Sequence, residues 1–500
     1  MKMEKNTAKK RIRLYDIFAV VVSVLLLLAA GNETYVSVKY KAVFMVLIFA
    51  VSAVSFLIAF FVPPLNENVN LRYISIGILL LGLALRVFYY EICGVVETSD
   101  FYQPTKFFEY ITDNGSYTEY TIQYQQLDEF QRYYALFPAW GIYMMFTHLI
   151  YSVFGCQVIY MIGVNLFLFA ISFLLLNRLL VQNECENSTK ILILMLFACL
   201  PHMVMWSAVT TPDHFIIIFL IGLALIWIRK NGAEKKGIYI VCEAVMVALI
   251  GLFKPMTLLL ILAIVFSDIL VAVMDRSMVR NCIIHVIVSI LCIACISSVV
   301  RTISNRCLEA YIKTDVVQAG SFYLLWGYGI NANGEWSDHA MDEVFEQAYD
   351  NVETLYDVVE YTNVAAKEML MDNWKSFPKI WRRKFHMLFY SDTWPAIWTL
   401  TNDSNQLAVE LKNNYLFTNV LSAINVIMML FMIPAFRRKD KMTVFLFMTW
   451  AGFICYLVAS GIQTRYRFLI LPFQLILFGL GIREMRKTGF AFKERLMNKR

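Results

Sequence analysis

Hydrophobic runs of about 17 to 23 residues recur along the chain, and each is long enough to cross a bilayer as a helix. No other feature restricts the fold as much. Inside lipid every backbone polar group must be paired, so such runs become helices. Candidate spans are 15–31, 41–62, 72–90, 157–178, 190–208, 213–229, 237–252, 256–274, 281–300, 414–435, 441–460 and 463–482. The expected fold is an all-α polytopic membrane protein of about 12 transmembrane helices with outer juxtamembrane helices. Composition agrees: 59% of residues are hydrophobic and 16% charged, against about 25% charged in a soluble protein.

Lys and Arg in the short loops set the expected orientation. Lys9, Lys10, Arg11 and Arg13 place the N-terminus in the cytoplasm. The loop Arg229–Lys236, the stretches 275–280 and 437–441, and the tail from Arg483 belong on the same side. The net charge of +6 lies mainly in these flanks, a distribution that argues against nucleic-acid binding. The first apolar run has no clear small-residue cleavage site, so it reads as a retained span.

Counted forward from the N-terminus, the loop 91–135 falls outside. Counted back from Arg229–Lys236, residue 155 also falls outside. The two counts agree if the apolar stretch 136–154 does not cross, so it is expected as a juxtamembrane or re-entrant helix. The chain then divides into three N-terminal helices (1–90), a first large outer loop (91–156), a transmembrane core (157–300), an outer segment (301–413) and three C-terminal helices with a cytoplasmic tail (414–500).

Ten cysteines are present, mostly in or beside apolar spans. Cys292 and Cys295 form a C-x-x-C inside a hydrophobic helix, where packing is the expected role. His202 and His214 show no regular metal-ligand spacing and are also expected to pack. No Walker-type loop, H-E-x-x-H or G-x-S-x-G occurs in a fitting context, which disfavours a nucleotide-driven pump and a zinc or serine membrane protease.

The polar features fall on the expected outer side. Asp100, in Glu97-Thr98-Ser99-Asp100-Phe101, suits a general base or a ligand for a divalent metal, the only cofactor left open. It equally suits a helix N-cap. Asp213, in Thr211-Pro212-Asp213-His214, opens a hydrophobic span and reads as a helix start or a site residue. Lys254, before Pro255, must snorkel or meet an anion, and a lipid phosphate is the natural one at that depth. Arg465 and Arg467, flanking Tyr466, could clamp a phosphate or anchor a headgroup. In the outer segment, residues 338–373 have helical patterning. The stretch from Trp374 to Trp398 mixes cations with aromatics, as an interfacial helix does.

In order and character these motifs resemble the GT-C glycosyltransferases, multi-spanning membrane enzymes. The likeness is to the bacterial protein O-mannosyltransferase and lipid A aminoarabinose transferase group (glycosyltransferase family 39-like). It is carried by Arg86, Ser99-Asp100-Phe101, Tyr133 to Trp140, Thr211-Pro212-Asp213, Gly251-Leu252-Phe253-Lys254-Pro255 and Arg465-Tyr466-Arg467-Phe468 with Pro472. The resemblance implies a polyprenyl-phosphate-linked sugar donor, with its chain in a groove among the spans. It implies Asp100 as the acidic catalytic residue that deprotonates the acceptor hydroxyl, and Lys254, Arg465, Tyr466, Arg467 and Asp213 as the phosphate and substrate contacts. The acceptor would be a hydroxyl on a protein, a lipid or a cell-wall glycan, reached on the outer face of the plasma membrane. Two alternatives stand beside it. One is a polymerase or ligase of lipid-linked glycans, using Arg382, Arg383 and His386 of the outer segment. The other is a polysaccharide flippase.

Overall fold

The structure is a computed structural model that describes residues 71–113, 116–117, 124–233, 236–274, 279–318, 320, 355–390, 394–438, 440–459 and 464–497. The expected spans 15–31 and 41–62 lie outside the described residues, as do residues 338–354 of the stretch with helical patterning. The helices are α1 (Leu71–Cys93), α2 (Gln103–Ile111), α3 (Tyr124–Leu136), α4 (Pro138–Phe154), α5 (Val158–Gln182), α6 (Asn187–Cys199), α7 (Pro201–Trp206), α8 (Asp213–Gly232), α9 (Gly237–Phe253) and α10 (Thr257–Met274). They continue with α11 (Val279–Ile312), α12 (Leu355–Asn373), α13 (Phe377–Tyr390), α14 (Trp394–Thr399), α15 (Gln406–Lys412), α16 (Tyr415–Met432), α17 (Lys441–Ala459) and α18 (Leu471–Met497). Short 3-10 turns precede α2 (Ser99–Phe101) and α18 (Thr464–Leu469). The only strands among the described residues pair Thr112 with Tyr117 and Asp113 with Ser116.

The all-α membrane character holds. Among the described residues seven helical stretches are long and apolar enough to cross a membrane: Leu71–Cys93, Val158–Gln182, Asp213–Gly232, Thr257–Met274, Ile283–Ile312, Leu416–Arg438 and Lys441–Val458. Asn187–Cys199 and Gly237–Phe253 are apolar but shorter. Two expected spans are broken, both by proline. The run 190–208 divides at Leu200, where Pro201 has no N–H to continue the ladder and disfavours helical backbone in the residue before it. The run 463–482 divides into a 3-10 turn and α18, whose Pro472 fits a first helical turn. In the opposite direction, α11 continues past residue 300 to Ile312 without a break. The boundary expected there between core and outer segment is therefore not a structural one.

Lipid tails are as apolar as side chains, so helices in a membrane associate through close packing and internal polar contacts. Both occur here. A Cβ on Gly481 of α18 would run into the Phe431 carbonyl oxygen of α16, so these two helices meet backbone to backbone. Arg86, only 2% exposed, is the polar counterpart. From α1 it donates to Gly82 O at 2.8 Å, Ala198 O at 2.7 Å and Met203 O at 3.2 Å, with Phe197 O at 3.4 Å. The α6–α7 break exposes the Ala198 and Phe197 carbonyls, and Phe197 O is the one that a residue-201 N–H would have met; Met203 O is freed by the end of the short α7. The guanidinium also lies over the Phe169 ring, 3.4 Å from its centroid. One buried arginine thus pairs the carbonyls that the proline break frees.

The bundle has two distinct ends. At one, Arg229 bonds Gln182, Lys441 bonds the Asn231 carbonyl, Arg437 bonds Thr488, and Arg483 pairs with Glu186. These residues come from the loops and tail expected to be basic and cytoplasmic. At the other end lie Asp100, the start of α8 and the α9–α10 turn. A helix of 20 residues such as α8 separates the two ends by about 30 Å. The helix α4 stays at the second end throughout. Its first turn borders Gly251, Pro255 and Ser304, Phe146 meets Phe215, and Tyr151 bonds Thr105. These contacts all lie at that end of the bundle.

Candidate active site

The chain arrives at Asp100 through a forced path. Gly94 ends α1 with φ +56°, and its N–H closes on Tyr90 O at 2.9 Å. A Cβ there would sit 3.0 Å from Asn402 Nδ2, so both conformation and space favour glycine. The following loop is strapped by the outer segment. Val96 N–H and C=O both bond Thr401 Oγ1, Asn405 donates to Ile92 O at 2.7 Å, and Tyr89 and Thr399 share a hydrogen bond. Ser99 then takes φ +55°, a left-handed conformation that costs about 1–2 kcal/mol outside glycine. Strain of this kind next to a carboxylate directs attention to function.

Asp100 does not cap a helix. It is the middle residue of its 3-10 turn, and neither this turn nor α2 has a side-chain cap. Its Oδ2 faces Arg465 Nη2 at 3.3 Å, and its Oδ1 accepts from the Tyr133 hydroxyl at 3.4 Å. The Asp100 side chain is about one-third exposed and the Arg465 side chain 5%. Arg465 is enclosed by aromatic faces: Phe101 at 4.7 Å, Trp398 at 4.8 Å and Tyr466 at 5.7 Å from the guanidinium carbon. Each such contact is worth about 0.5–2 kcal/mol, so the cation is held in place without a second carboxylate.

Tyr466 also meets a second ion pair. Lys254 Nζ lies 4.3 Å from the centre of the Tyr466 ring and 2.8 Å from Asp213 Oδ1. Asp213 is the first residue of α8, where a carboxylate also meets the positive end of the helix dipole. Burial pulls the Lys254 ammonium below the ordinary lysine range, and Asp213 opposes that shift. Behind Asp100, Glu97 Oε2 accepts from Thr105 at 2.6 Å and its Oε1 from Thr210. Burial raises the Glu97 carboxyl above the usual range, against the pull of those two hydroxyls.

Five of the residues singled out from the sequence therefore converge: Asp100, Asp213, Lys254, Arg465 and Tyr466. Arg467 does not join them. It is buried, and its guanidinium donates to Leu388 O of α13 at 2.5 Å. Residues two apart on a tight turn point to different sides, so the expected double-arginine clamp is divided. His202 and His214 pack against Trp394 and Phe468. Among the described residues no three His, Cys, Asp or Glu side chains come together as a metal would require. Asp100 and Asp213 face cations and Glu97 faces two hydroxyls, so the described donor set does not fit a divalent ion. Cys292 and Cys295 are free thiols on α11. Arg382 is exposed on α13, while the side chains of Arg383 and His386 lie outside the described residues.

Comparison with known protein families and with curated proteins finds no match to this chain. The site's chemistry therefore rests on its own geometry. Beside it, the first turn of α4, the α9–α10 turn and residues 297–305 of α11 line a small groove. One wall is apolar, with Phe137, Pro138, Ala248 and Leu252, and the other carries Thr257, Ser297, Arg301 and Asn305. Arg301 is exposed and has no ion pair among the described residues.

Sequence reasoning missed Trp398, Tyr133 and Thr210 as site residues. Trp398 belongs to the aromatic stretch expected at the interface, but nothing in the sequence says that it folds back onto Arg465. Tyr133 lies within a quoted motif, and its hydroxyl acquires a role only once α3 is set beside the Asp100 turn.

Proposed function

We propose that this chain is a membrane glycosyltransferase that moves one sugar from a polyprenyl-phosphate donor to an acceptor hydroxyl. The observation that carries the reading is the pair of ion pairs, Asp100–Arg465 and Lys254–Asp213, whose cations both lie near the Tyr466 ring. Each sets a cation that suits a phosphate against a carboxylate that suits a proton. The groove beside them is lined by apolar and polar side chains together, as a site for a lipid-borne substrate would be.

In this reading the donor phosphate draws Arg465 and Lys254 into charge-assisted bonds and loosens their hold on Asp100 and Asp213. Asp100 takes the proton of the acceptor hydroxyl as its oxygen attacks the anomeric carbon. The bond from that carbon to the phosphate oxygen breaks on the opposite face, and the configuration inverts. The departing polyprenyl phosphate gains charge, which the two cations stabilise. Glu97, further back and bonded to two hydroxyls, supports the turn that carries Asp100 and does not receive the proton.

The full chain would carry about twelve spans in the plasma membrane, with both termini in the cytoplasm and this site outside. The test is sugar release by the purified protein in lipid, using a panel of polyprenyl-phosphate sugars and nucleotide sugars as controls. Turnover of a lipid-phosphate donor alone supports the reading. Turnover of nucleotide sugars, or of no donor by folded protein, contradicts it.

A further inference from the structure

The groove beside the candidate site carries a second set of polar groups. None of Asp100, Asp213, Lys254 and Arg465 lines it. On α11, Ser297, Arg301 and Asn305 stand four residues apart, so they share one face of the helix, and that face borders the groove. Thr257, the first residue of α10, adds a hydroxyl to the same wall. Its Oγ1 sits over Gly251 of α9, where a Cβ would come within 2.5 Å of it. The α9 backbone is bare at that point, and the hydroxyl takes the space a side chain would fill.

A helical serine commonly turns its hydroxyl back to the carbonyl four residues earlier. Ser297 does not. Its Oγ and Thr257 Oγ1 are both buried and have no hydrogen-bond partner among the described residues. Two such hydroxyls beside a guanidinium are donors that need an acceptor. No carboxylate among the described residues lines the groove to provide one.

Position indicates the kind of acceptor. Apolar side chains of α11 are exposed from Ile283 to Ile303, with Val299 and Ile303 each at 58%, a surface suited to lipid. At a helical rise of about 1.5 Å per residue, Arg301 stands about 27 Å along α11 from Ile283. The hydrocarbon core of a bilayer is about 30 Å deep. Arg301 is therefore at the level of lipid phosphates, at the end of the bundle that holds Asp100. The apolar wall, with Phe137 and Leu252, faces the same groove.

We propose that this groove binds the phosphate ester of a membrane lipid. The Arg301 guanidinium and the Ser297 and Thr257 hydroxyls donate to its oxygens, and the apolar wall meets the start of its chain. The site is separate from the Arg465 and Lys254 cations and does not depend on the glycosyl-transfer reading.

Native mass spectrometry of the full chain, released from maltoside micelles that contain no phosphate, tests this. The probes are phosphatidylglycerol, polyprenyl monophosphate and diacylglycerol. Wild type should retain phosphatidylglycerol and not diacylglycerol. Arg301→Gln should weaken that retention about tenfold, as expected for loss of a charged hydrogen-bond donor, and Thr257→Val should weaken it by a smaller factor. Arg306, exposed on the same helix but outside the groove, is the control. Arg306→Gln and Arg465→Gln should each leave retention unchanged. Arg301 is itself exposed, so its replacement does not bear on folding. Displacement of phosphatidylglycerol by polyprenyl monophosphate, with the same dependence on Arg301, would assign the groove to a polyprenyl carrier; without it the ligand is a phospholipid. Equal retention by wild type and Arg301→Gln overturns the proposal. So does an equal loss in Arg306→Gln or Arg465→Gln, or retention of diacylglycerol as strong as that of phosphatidylglycerol.

Discussion

Replacing Arg86 by leucine should be among the most damaging single changes in the described part of the chain. The guanidinium serves Phe197 and Ala198 at the α6–α7 break and Met203 at the end of α7, as well as Gly82 in its own helix. A buried carbonyl left without a donor costs about 1–3 kcal/mol. Leaving two or three of them bare amounts to about 3–6 kcal/mol. Removing the buried cation recovers part of this, since its own burial is unfavourable. The net loss should be about 3 kcal/mol. Arg86→Lys should recover roughly a third, because one ammonium can reach fewer of the carbonyls than a planar fork. The assay is thermal unfolding of the purified protein in nanodiscs, followed by tryptophan fluorescence, since Trp206 stands at the end of α7. Arg86→Leu as stable as wild type would refute the claim that this side chain completes the break.

Three further outcomes follow from the same geometry. Asp213→Asn and Lys254→Met should each destabilise by about 2–3 kcal/mol, a buried pair broken on one side but discounted because Lys254 is 19% exposed. The double variant should show a coupling of at least about 1 kcal/mol in unfolding measurements. Glu97 has its folded carboxyl raised by burial, so its contribution to stability is fully present below the unfolded value of about 4.3 and is lost as pH rises through the folded value. Glu97→Gln should flatten that decline in a pH series of melting curves; an unaltered decline would show that Glu97 is not its source. Gly481→Ala should weaken the α16–α18 contact, where a Cβ has no room against the Phe431 carbonyl, and a melting temperature equal to wild type would contradict this.

Much of the architecture was legible because membrane helices announce themselves by length and polarity. Asp100, Asp213, Lys254 and Arg465 could be singled out for the same reason: each is a charge at the end of an apolar run, where a charge needs a partner. What remained hidden depended on packing. The apolar runs through Pro201 and Pro472 outweighed the prolines in the hydropathy pattern, so the breaks appear only in the structure. Arg86 could be noted from the sequence, but the carbonyls it serves are exposed by a break more than a hundred residues later. Arg467 resembled a twin of Arg465 until the tight turn sent it toward Leu388. Trp398 reaches Arg465 only through the strap that ties residues 399–405 to the end of α1.

The most direct measurement of the central claim is glycosyl transfer from a lipid-phosphate sugar by wild-type protein and Asp100→Asn, both folded and in lipid. If Asp100 is the general base, the variant should bind the donor and lose about 10²- to 10⁴-fold in turnover. Equal turnover in the two proteins would contradict the account.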